Sequence, residues 1–179
     1  MTDPLFFLAI LPDNEIQQEV TSFKQECADL FQARHAFKSP PHITLIAPFR
    51  WPVEALQDLR ETLAEFAYDQ LSFTVRLNGF NCFAPRVIFV DMEKNGSLEE
   101  LQRELAKSLA RTLDFNDKRN QRFHPHMTIA HRDLEVRVFP RAWAHFSKRA
   151  YQRQFLVENI VLLRHEKGQW QVLERFVFA

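Results

Sequence analysis

Two short segments of this chain are near copies of each other. The first reads Pro41-His42-Ile43-Thr44-Leu45, and the second reads Pro125-His126-Met127-Thr128-Ile129. Because side chains alternate between the two faces of a β-strand, each segment is predicted to present its histidine and threonine on one face, roughly 7 Å apart, and its apolar residues on the other. The repeat therefore predicts two strands that each bury one face and offer an imidazole and a hydroxyl from the opposite face.

Composition places the chain among ordinary folded domains. Its 179 residues are 46% apolar, with 18 Phe, and 26% charged, which is enough for one domain or for two small lobes that share a core. Lys and Arg number 23, and Asp and Glu also number 23. This balance argues against a long nucleic-acid duplex bound along the whole surface, but it leaves a local basic site open.

Some classes of function and location are disfavoured by what the sequence lacks. With 3 Gly in the chain there is no glycine-rich phosphate loop and no dinucleotide fingerprint, so ATP-driven chemistry is not expected. The isolated Cys27 and Cys82 are expected to be reduced thiols, which predicts a cytoplasmic location. The apolar run from Leu5 to Leu11 is too short to cross a membrane and lacks the basic residues that precede a secretory signal.

Hydrophobic periodicity predicts an alternation of strands and helices. Strands are predicted at Leu5–Leu11, at the two motifs, and at Leu71–Phe83, Arg86–Met92, Phe155–Leu163 and Trp170–Phe178. Helices are predicted at Glu15–Arg34, at Val53–Tyr68, from a capping box formed by Ser97 and Glu100 to Leu109, and at Val138–Arg149. The order is strand, helix, motif strand, helix and strand pair, followed by helix, motif strand, helix and strand pair. The chain is therefore interpreted as one domain over residues 1–179, built from two copies of one plan.

The two motifs, His42-Ile43-Thr44-Leu45 and His126-Met127-Thr128-Ile129, lie 84 positions apart. In a chain of this length they resemble the two signature motifs of the 2H phosphoesterase superfamily, which includes the 2′-5′ RNA ligase-like proteins and the 2′,3′-cyclic nucleotide phosphodiesterases. The resemblance implies an α+β, bilobal fold with two pseudo-symmetric lobes of antiparallel sheet and helices on the outside. It also implies a central cleft that carries one His-x-Thr strand from each lobe.

The resemblance transfers catalytic roles to His42, Thr44, His126 and Thr128. The chemistry agrees, because opening a cyclic phosphodiester needs one group to take a proton from water and another to give a proton to the departing ribose oxygen. Imidazole, with an ordinary pKa of about 6.5, can be either partner near neutrality. The threonine hydroxyls can donate hydrogen bonds to the non-bridging phosphate oxygens. No metal and no cofactor is required.

Residues next to the motifs are candidates for contacts with substrate. Phe49 and Phe123 are candidates for stacking on a base, and Arg50 and Arg132 for binding phosphate. Either aromatic ring could instead belong to the core. Three further histidines have no partner visible in the sequence and are expected at the surface, namely His35, His145 and His165.

The predicted activity is metal-independent hydrolysis of a 2′,3′-cyclic phosphate or a 2′-5′ linkage in an RNA end or a small nucleotide, without a protein partner. One alternative is a binding module that holds RNA ends or nucleotides without turnover. Another is a metal hydrolase that uses His124, His126 and His131 and would lose activity with a chelator. The sequence does not decide which of the two motif histidines is the base.

Overall fold

The computed structural model describes residues 2–179 and contains two antiparallel four-stranded sheets. The strands are β1 (Leu5–Ile10), β2 (Ile43–Arg50), β3 (Phe73–Phe83), β4 (Val87–Met92), β5 (Met127–Ala130), β6 (Gln152–Val157), β7 (Asn159–Glu166) and β8 (Gln169–Val177). The helices are α1 (Asn14–Phe31), α2 (Leu56–Tyr68), α3 (Gly96–Leu113) and α4 (Phe139–Phe146). The strand order is β2-β1-β7-β8 in the first sheet and β5-β4-β3-β6 in the second. The predicted α+β fold with two lobes is confirmed.

The two sheets repeat one arrangement. In the first sheet, β1 runs into α1, and the chain returns as the edge strand β2, which pairs antiparallel with β1. In the second sheet, β4 runs into α3 and the chain returns as the edge strand β5, which pairs antiparallel with β4. Each edge strand carries one of the two sequence motifs. The motif strands therefore occupy equivalent positions in the two halves of the fold.

One predicted strand is divided between the two sheets. The sequence pattern predicts a continuous strand over Phe155–Leu163, but β6 ends at Val157 and β7 begins at Asn159. The first segment pairs with β3 in the second sheet, and the next segment pairs with β1 in the first sheet. Apolar residues stand on both sides of the crossing, and the two polar residues between them, Glu158 and Asn159, do not by themselves show that the chain changes sheet there. The prediction of a single strand here is wrong.

Helix boundaries follow local capping chemistry. Asp13 caps α1, because its Oδ1 accepts a hydrogen bond of 3.0 Å from the backbone N–H of Ile16. The helix α3 begins earlier than the Ser97–Glu100 capping box predicts. Asn95 is its cap, with Oδ1 accepting from the backbone N–H of Leu98 at 3.0 Å. Asparagine is as strong a cap as serine, and it comes first in the chain.

A single apolar core joins both sheets and all four helices. It takes the buried faces of the motif strands, including Ile43, Leu45, Met127 and Ile129, each at most 2% exposed. A smaller cluster around Phe7 lies on the other face of the first sheet. Each motif strand therefore has one face in the shared core and the opposite face toward the space between the sheets.

Cys27 and Cys82 are both free thiols. Burial raises the pKa of Cys27 to about 12, which leaves it an unreactive core residue near neutral pH. Across residues 2–179, no helix combines the length and apolar character that crossing a bilayer requires.

Candidate active site

A cavity of about 560 Å³ lies between the two sheets and contains side chains from both motifs. Its walls come from β1, the segment before β2, both motif strands, the loop after β5 and the β7–β8 hairpin. The residues that line it are Leu5, Phe7, His35, Ala36, Lys38, Ser39, His42, Thr44, Pro48, His126, Thr128, His131, Arg132, His165 and Trp170. The four motif residues predicted from the sequence thus meet in one place.

Strand register explains why these four side chains converge. Thr44 lies opposite Ala9 of β1, and Thr128 lies opposite Phe89 of β4. Directly opposed residues in an antiparallel pair share a face of the sheet, so each threonine lies on the cleft face of its sheet. Each histidine stands two residues earlier on that same face, immediately before its strand begins.

Both motif histidines are held in the same way by the backbone. The Nδ1 atom of His42 lies 2.7 Å from the carbonyl oxygen of Pro40, and Nδ1 of His126 lies 2.7 Å from the carbonyl oxygen of His124. A carbonyl oxygen can only accept, so Nδ1 must carry the proton in each ring. In the neutral ring, Nε2 then has the free lone pair. Nε2 is therefore the nitrogen of each histidine that can take up or release a proton.

Burial lowers the proton affinity of both rings. The pKa of His42 is lowered to about 4, mainly by loss of solvent, with smaller contributions from nearby Lys24, His126 and His131, while the bond to Pro40 opposes these effects. Burial also lowers the pKa of His126, with the bond to His124 opposing it. His42 is therefore neutral at pH 7.

Aromatic rings support each histidine. The ring of Phe7 lies 4.9 Å from that of His42, centroid to centroid, and Phe7 in turn packs edge-on against Trp170 at 4.6 Å. On the opposite side, Phe83 and Phe89 lie 5.0 Å and 5.1 Å from the ring of His126. These contacts limit ring rotation and exclude water from one side of each imidazole.

One end of the cavity is cationic. Lys38 and Arg132 line it, and no Asp or Glu is found in the lining among the described residues. His35 and His131 pack against each other there with ring centroids 4.7 Å apart, and burial lowers the pKa of His131 to about 4. Arg132 adopts a left-handed backbone conformation, with φ of 45°. The cavity thus combines two permanent positive charges with neutral imidazoles, a combination that favours an anion.

Three residues predicted to contact substrate lie elsewhere. Phe49 is 5% exposed and packs in the core against Phe6 and Phe115. Arg50 donates to the backbone carbonyl of Asp3 at 2.7 Å. Phe123 lines a different cavity, of about 520 Å³, beside α3. Of the four predicted contact residues, the structure brings only Arg132 to the cleft. Register shifts in the pairing of β2 with β1 interrupt regular alternation along β2, so the position of Thr44 does not predict where Phe49 and Arg50 lie.

Sequence reasoning missed several residues that line the cavity. His35 and His165 were expected at the surface without partners, but both line the cleft, as do Phe7 and Trp170. His165 and Trp170 are paired across the β7–β8 hairpin, and only the pairing of β7 with β1 brings that hairpin to the cleft. The hairpin turn was visible in the sequence, but its neighbour in the sheet was not.

The remaining histidines are accounted for by packing and ion pairing. His145 was also expected to lack a partner, yet its Nε2 lies 2.8 Å from Glu26 Oε2. The rings of His124 and His126 are 6.4 Å apart, while His131 packs against His35. No group of three His, Cys, Asp or Glu side chains within residues 2–179 is placed to hold a metal ion. The proposed three-histidine metal site is therefore not assembled.

Comparison with known proteins gives one family. A sequence profile described as the 2′-5′ RNA ligase superfamily matches residues 12–169. A Geobacillus kaustophilus protein that is named a candidate phosphoesterase is 27% identical over 173 residues, covering 95% of this chain and 94% of its own length. A Bacillus cytotoxicus protein with the same description is 28% identical over 171 residues, covering 94% of each chain.

Solved structures share the fold at lower identity. A Thermus thermophilus protein superimposes with a TM-score of 0.70 at 22% identity, with 97% of each chain covered. Escherichia coli LigT, crystallised with 3′-AMP, gives a TM-score of 0.69 at 19% identity, with 99% of each chain covered. LigT has also been crystallised with NADP+ and with ATP. The profile match spans most of the chain, and the chain therefore belongs to the 2′-5′ RNA ligase superfamily of 2H phosphoesterases, as its two His-x-Thr motifs predicted.

Proposed function

We propose that this protein hydrolyses 2′,3′-cyclic phosphates, or 2′-5′ phosphodiesters, at RNA ends or in small nucleotides. The observation that carries the proposal is the matched pair of histidines, His42 and His126, which are both held through Nδ1 beside one cavity. The phosphoesterase names of the relatives support the reaction class, and the 3′-AMP bound to LigT supports a nucleotide as the ligand.

His42 is the proposed general base. Its lowered pKa, about 4, leaves Nε2 unprotonated near pH 7, so it can take a proton from the attacking water. As the water oxygen bonds to phosphorus, the bond from phosphorus to one ribose oxygen breaks. His126 is the proposed general acid and gives its Nε2 proton to that oxygen. The products are a phosphomonoester and a free ribose hydroxyl, and proton exchange with solvent resets both rings.

The acid must carry a proton although burial lowers its pKa. A phosphate anion bound in the cavity favours the charged form of His126, because opposite charges a few ångströms apart stabilise each other. Thr44 and Thr128 donate hydrogen bonds to the non-bridging oxygens, and Lys38 and Arg132 attract the anion. Every step uses a side chain of this protein, so we expect activity to persist in the presence of a chelator.

The test is turnover of two substrates, an oligonucleotide ending in a 2′,3′-cyclic phosphate and a 2′,3′-cyclic mononucleotide, both with chelator present. Wild type is compared with His42→Asn and His126→Asn, because asparagine preserves polarity but cannot exchange the proton. We expect each substitution to lower kcat about 100-fold to 10,000-fold, the usual contribution of general acid-base catalysis.

The controls separate the proposal from its alternatives. His165→Asn removes a cleft histidine outside the proposed pair, and we expect it to retain most of the activity. Circular dichroism of each variant checks that the fold survives. If the oligonucleotide binds but neither substrate turns over, the protein is a binding module and the proposal is wrong. If activity disappears with the chelator, a metal ion takes part and the mechanism is wrong.

A further inference from the structure

The segment over residues 34–40 joins α1 to β2 and forms one wall of the cleft. His35, Lys38 and Ser39 from this segment line the cavity. The segment ends at Pro40, whose carbonyl oxygen accepts the hydrogen bond from His42 Nδ1. The position of this backbone therefore decides whether His42 keeps its proton on Nδ1 and its lone pair on Nε2.

Lys24 of α1 binds the backbone of this segment from the core side. It lies on the buried face of α1 and is 2% exposed, among the apolar residues of the core. Its Nζ donates to the carbonyl oxygens of Ala36 and Ser39, both at 2.8 Å. Burying an ammonium group is costly, and the cost is seen in its pKa, which burial lowers to about 8. Lys24 is still mostly protonated at pH 7, so a buried charge is retained at this position.

Asp133 holds the start of the same segment from the other half of the molecule. Its Oδ2 accepts hydrogen bonds from the backbone N–H groups of Arg34 and His35, at 2.7 Å and 2.9 Å. Asp133 follows β5, the motif strand of the second sheet. The wall beside His42 is thus held at one end by α1 and at the other by the loop that carries Arg132.

The second half of the molecule contains a similar arrangement. Gln102 of α3 is 4% exposed, and its Nε2 donates to the carbonyl oxygens of Asn120 at 2.9 Å and Leu45 at 3.3 Å. Asn120 lies in the segment that leads to the second motif. In each half, a buried polar side chain on the helix before the motif strand binds the backbone that leads into that motif. Gln102 differs from Lys24 in that its second bond reaches Leu45, a residue of the first motif strand.

We propose that Lys24 and Asp133 are positioning residues for His42: together they fix residues 34–40 so that the Pro40 carbonyl holds the ring with its proton on Nδ1. The contribution to turnover rests on the proposed function, in which His42 is the base. The effect on which ring nitrogen of His42 carries the proton does not depend on the proposed function. The charged and titratable groups that act on His42 are Lys24 from α1 and His126 and His131 from either end of β5.

The direct test is the tautomer of His42, read from its ring nitrogen shifts by long-range proton–nitrogen NMR above pH 7. The variants are Lys24→Met, which removes the hydrogen bonds to Ala36 and Ser39, and Asp133→Ala, which removes the acceptor at an exposed site and is expected to fold. Wild type should show the Nδ1–H form alone. Both variants should show a mixture with the Nε2–H form. Lys107→Met, which removes an exposed lysine on α3, should match wild type.

Two further readouts separate positioning from general stability. In Lys24→Met, loss of a nearby positive charge should raise the pKa of His42 by about half a unit. With a cyclic mononucleotide as substrate, both variants should lower kcat about tenfold with little change in KM, because ring orientation matters in the transition state. If the Nδ1–H form stays pure in both folded variants, the positioning role is wrong. If the tautomer shifts but wild type has no activity, the positioning role stands and the proposed function fails.

Discussion

His42 and His126 each follow a proline, and that proline accounts for the orientation of the ring. Proline fixes its own φ near −65° and keeps the residue before it extended. In both motifs this places the carbonyl oxygen two residues before the histidine within 2.7 Å of Nδ1. The four-residue pattern therefore specifies a tautomer as well as a face of the strand, which the alternation of side chains alone did not reveal.

Substitution of Thr44 and Thr128 tests whether their hydroxyl groups stabilise the charge that develops on the phosphate. Thr44→Val and Thr128→Val replace the hydroxyl by a methyl group of similar size, so packing changes little. We expect each to lower kcat by roughly 10-fold to 100-fold, because a hydrogen bond to the transition state is lost. Thr62→Val on α2, outside the cleft, is the matched control. Unchanged kcat in Thr44→Val and Thr128→Val would exclude the hydroxyls from catalysis.

Buried neutral histidines predict a loss of stability in mild acid. The pKa of His42 and of His131 is about 4 in the folded protein and about 6.5 when the chain is unfolded. The unfolded chain therefore binds more protons in this range. Their contribution to the free energy of unfolding is complete above pH 6.5 and is lost as the pH falls toward 4. Because both side chains keep part of their surface in contact with solvent, we expect about 1 to 2 kcal/mol from each by pH 5.

Urea unfolding at pH 7 and pH 5 measures this effect. His131→Gln removes one of the two rings without touching the proposed acid-base pair. We expect the variant to lose about 1 to 2 kcal/mol less than wild type between the two pH values. Equal losses in both proteins would mean that His131 is protonated normally in the folded state.

The β7–β8 hairpin is the element that extends the cleft beyond the motif strands. Its Trp170 packs against Phe7 and His165, and Phe7 in turn contacts His42. Aromatic side chains stack on bases of single-stranded RNA, typically worth about 1 to 3 kcal/mol per base. The hairpin therefore supplies an aromatic surface next to the proposed reacting phosphate.

Replacing this aromatic surface should affect recognition more than chemistry. We expect Trp170→Ala to raise KM for the cyclic-phosphate-ended oligonucleotide about tenfold and to leave kcat within a factor of two or three. Trp170→Phe should restore most of the affinity, since it keeps a ring that can stack. An unchanged KM in Trp170→Ala would show that the base binds elsewhere.

Local elements were predictable because each has a local cause. Capping by Asp13, the stripe of α1 and the alternation of both motif strands depend on neighbours in sequence. The crossing at Glu158, between β6 and β7, depends instead on distant strands, because β6 pairs with β3 and β7 pairs with β1. Lys24 was missed for a related reason. A lysine is expected at the surface by default, and the carbonyl groups that it binds lie 12 and 15 residues further along.

The candidate site was predictable at its centre and not at its walls. Four motif residues were found because a repeated pattern named them, and they share one cavity. The wall residues His35, His165 and Trp170 come from segments that only the sheet order brings together. Phe49 and Arg50 were predicted to contact substrate because they are close to the first motif in sequence. They lie where β2 leaves the cleft, so their side chains are not close to the motif residues in space.

The whole molecule brings together two sheets that each supply one histidine and one threonine. A shared core fixes the two sheets relative to each other, and Asp133 links the loop after β5 to the segment before β2. The central claim is that His42 and His126 work as one unit on one phosphate. Neither sheet contains the complete proposed pair, so the proposed reaction requires both sheets.

A comparison of single and double variants tests that claim most directly. Single-turnover rates on a 2′,3′-cyclic mononucleotide would be measured for wild type, His42→Asn, His126→Asn and the double variant. If the two residues act together, losing either one removes the concerted proton transfer, so the double variant should be about as slow as the slower single variant. If the two losses multiply in the double variant, the two proton transfers are not coupled, and the claim that the histidines work as one unit is contradicted.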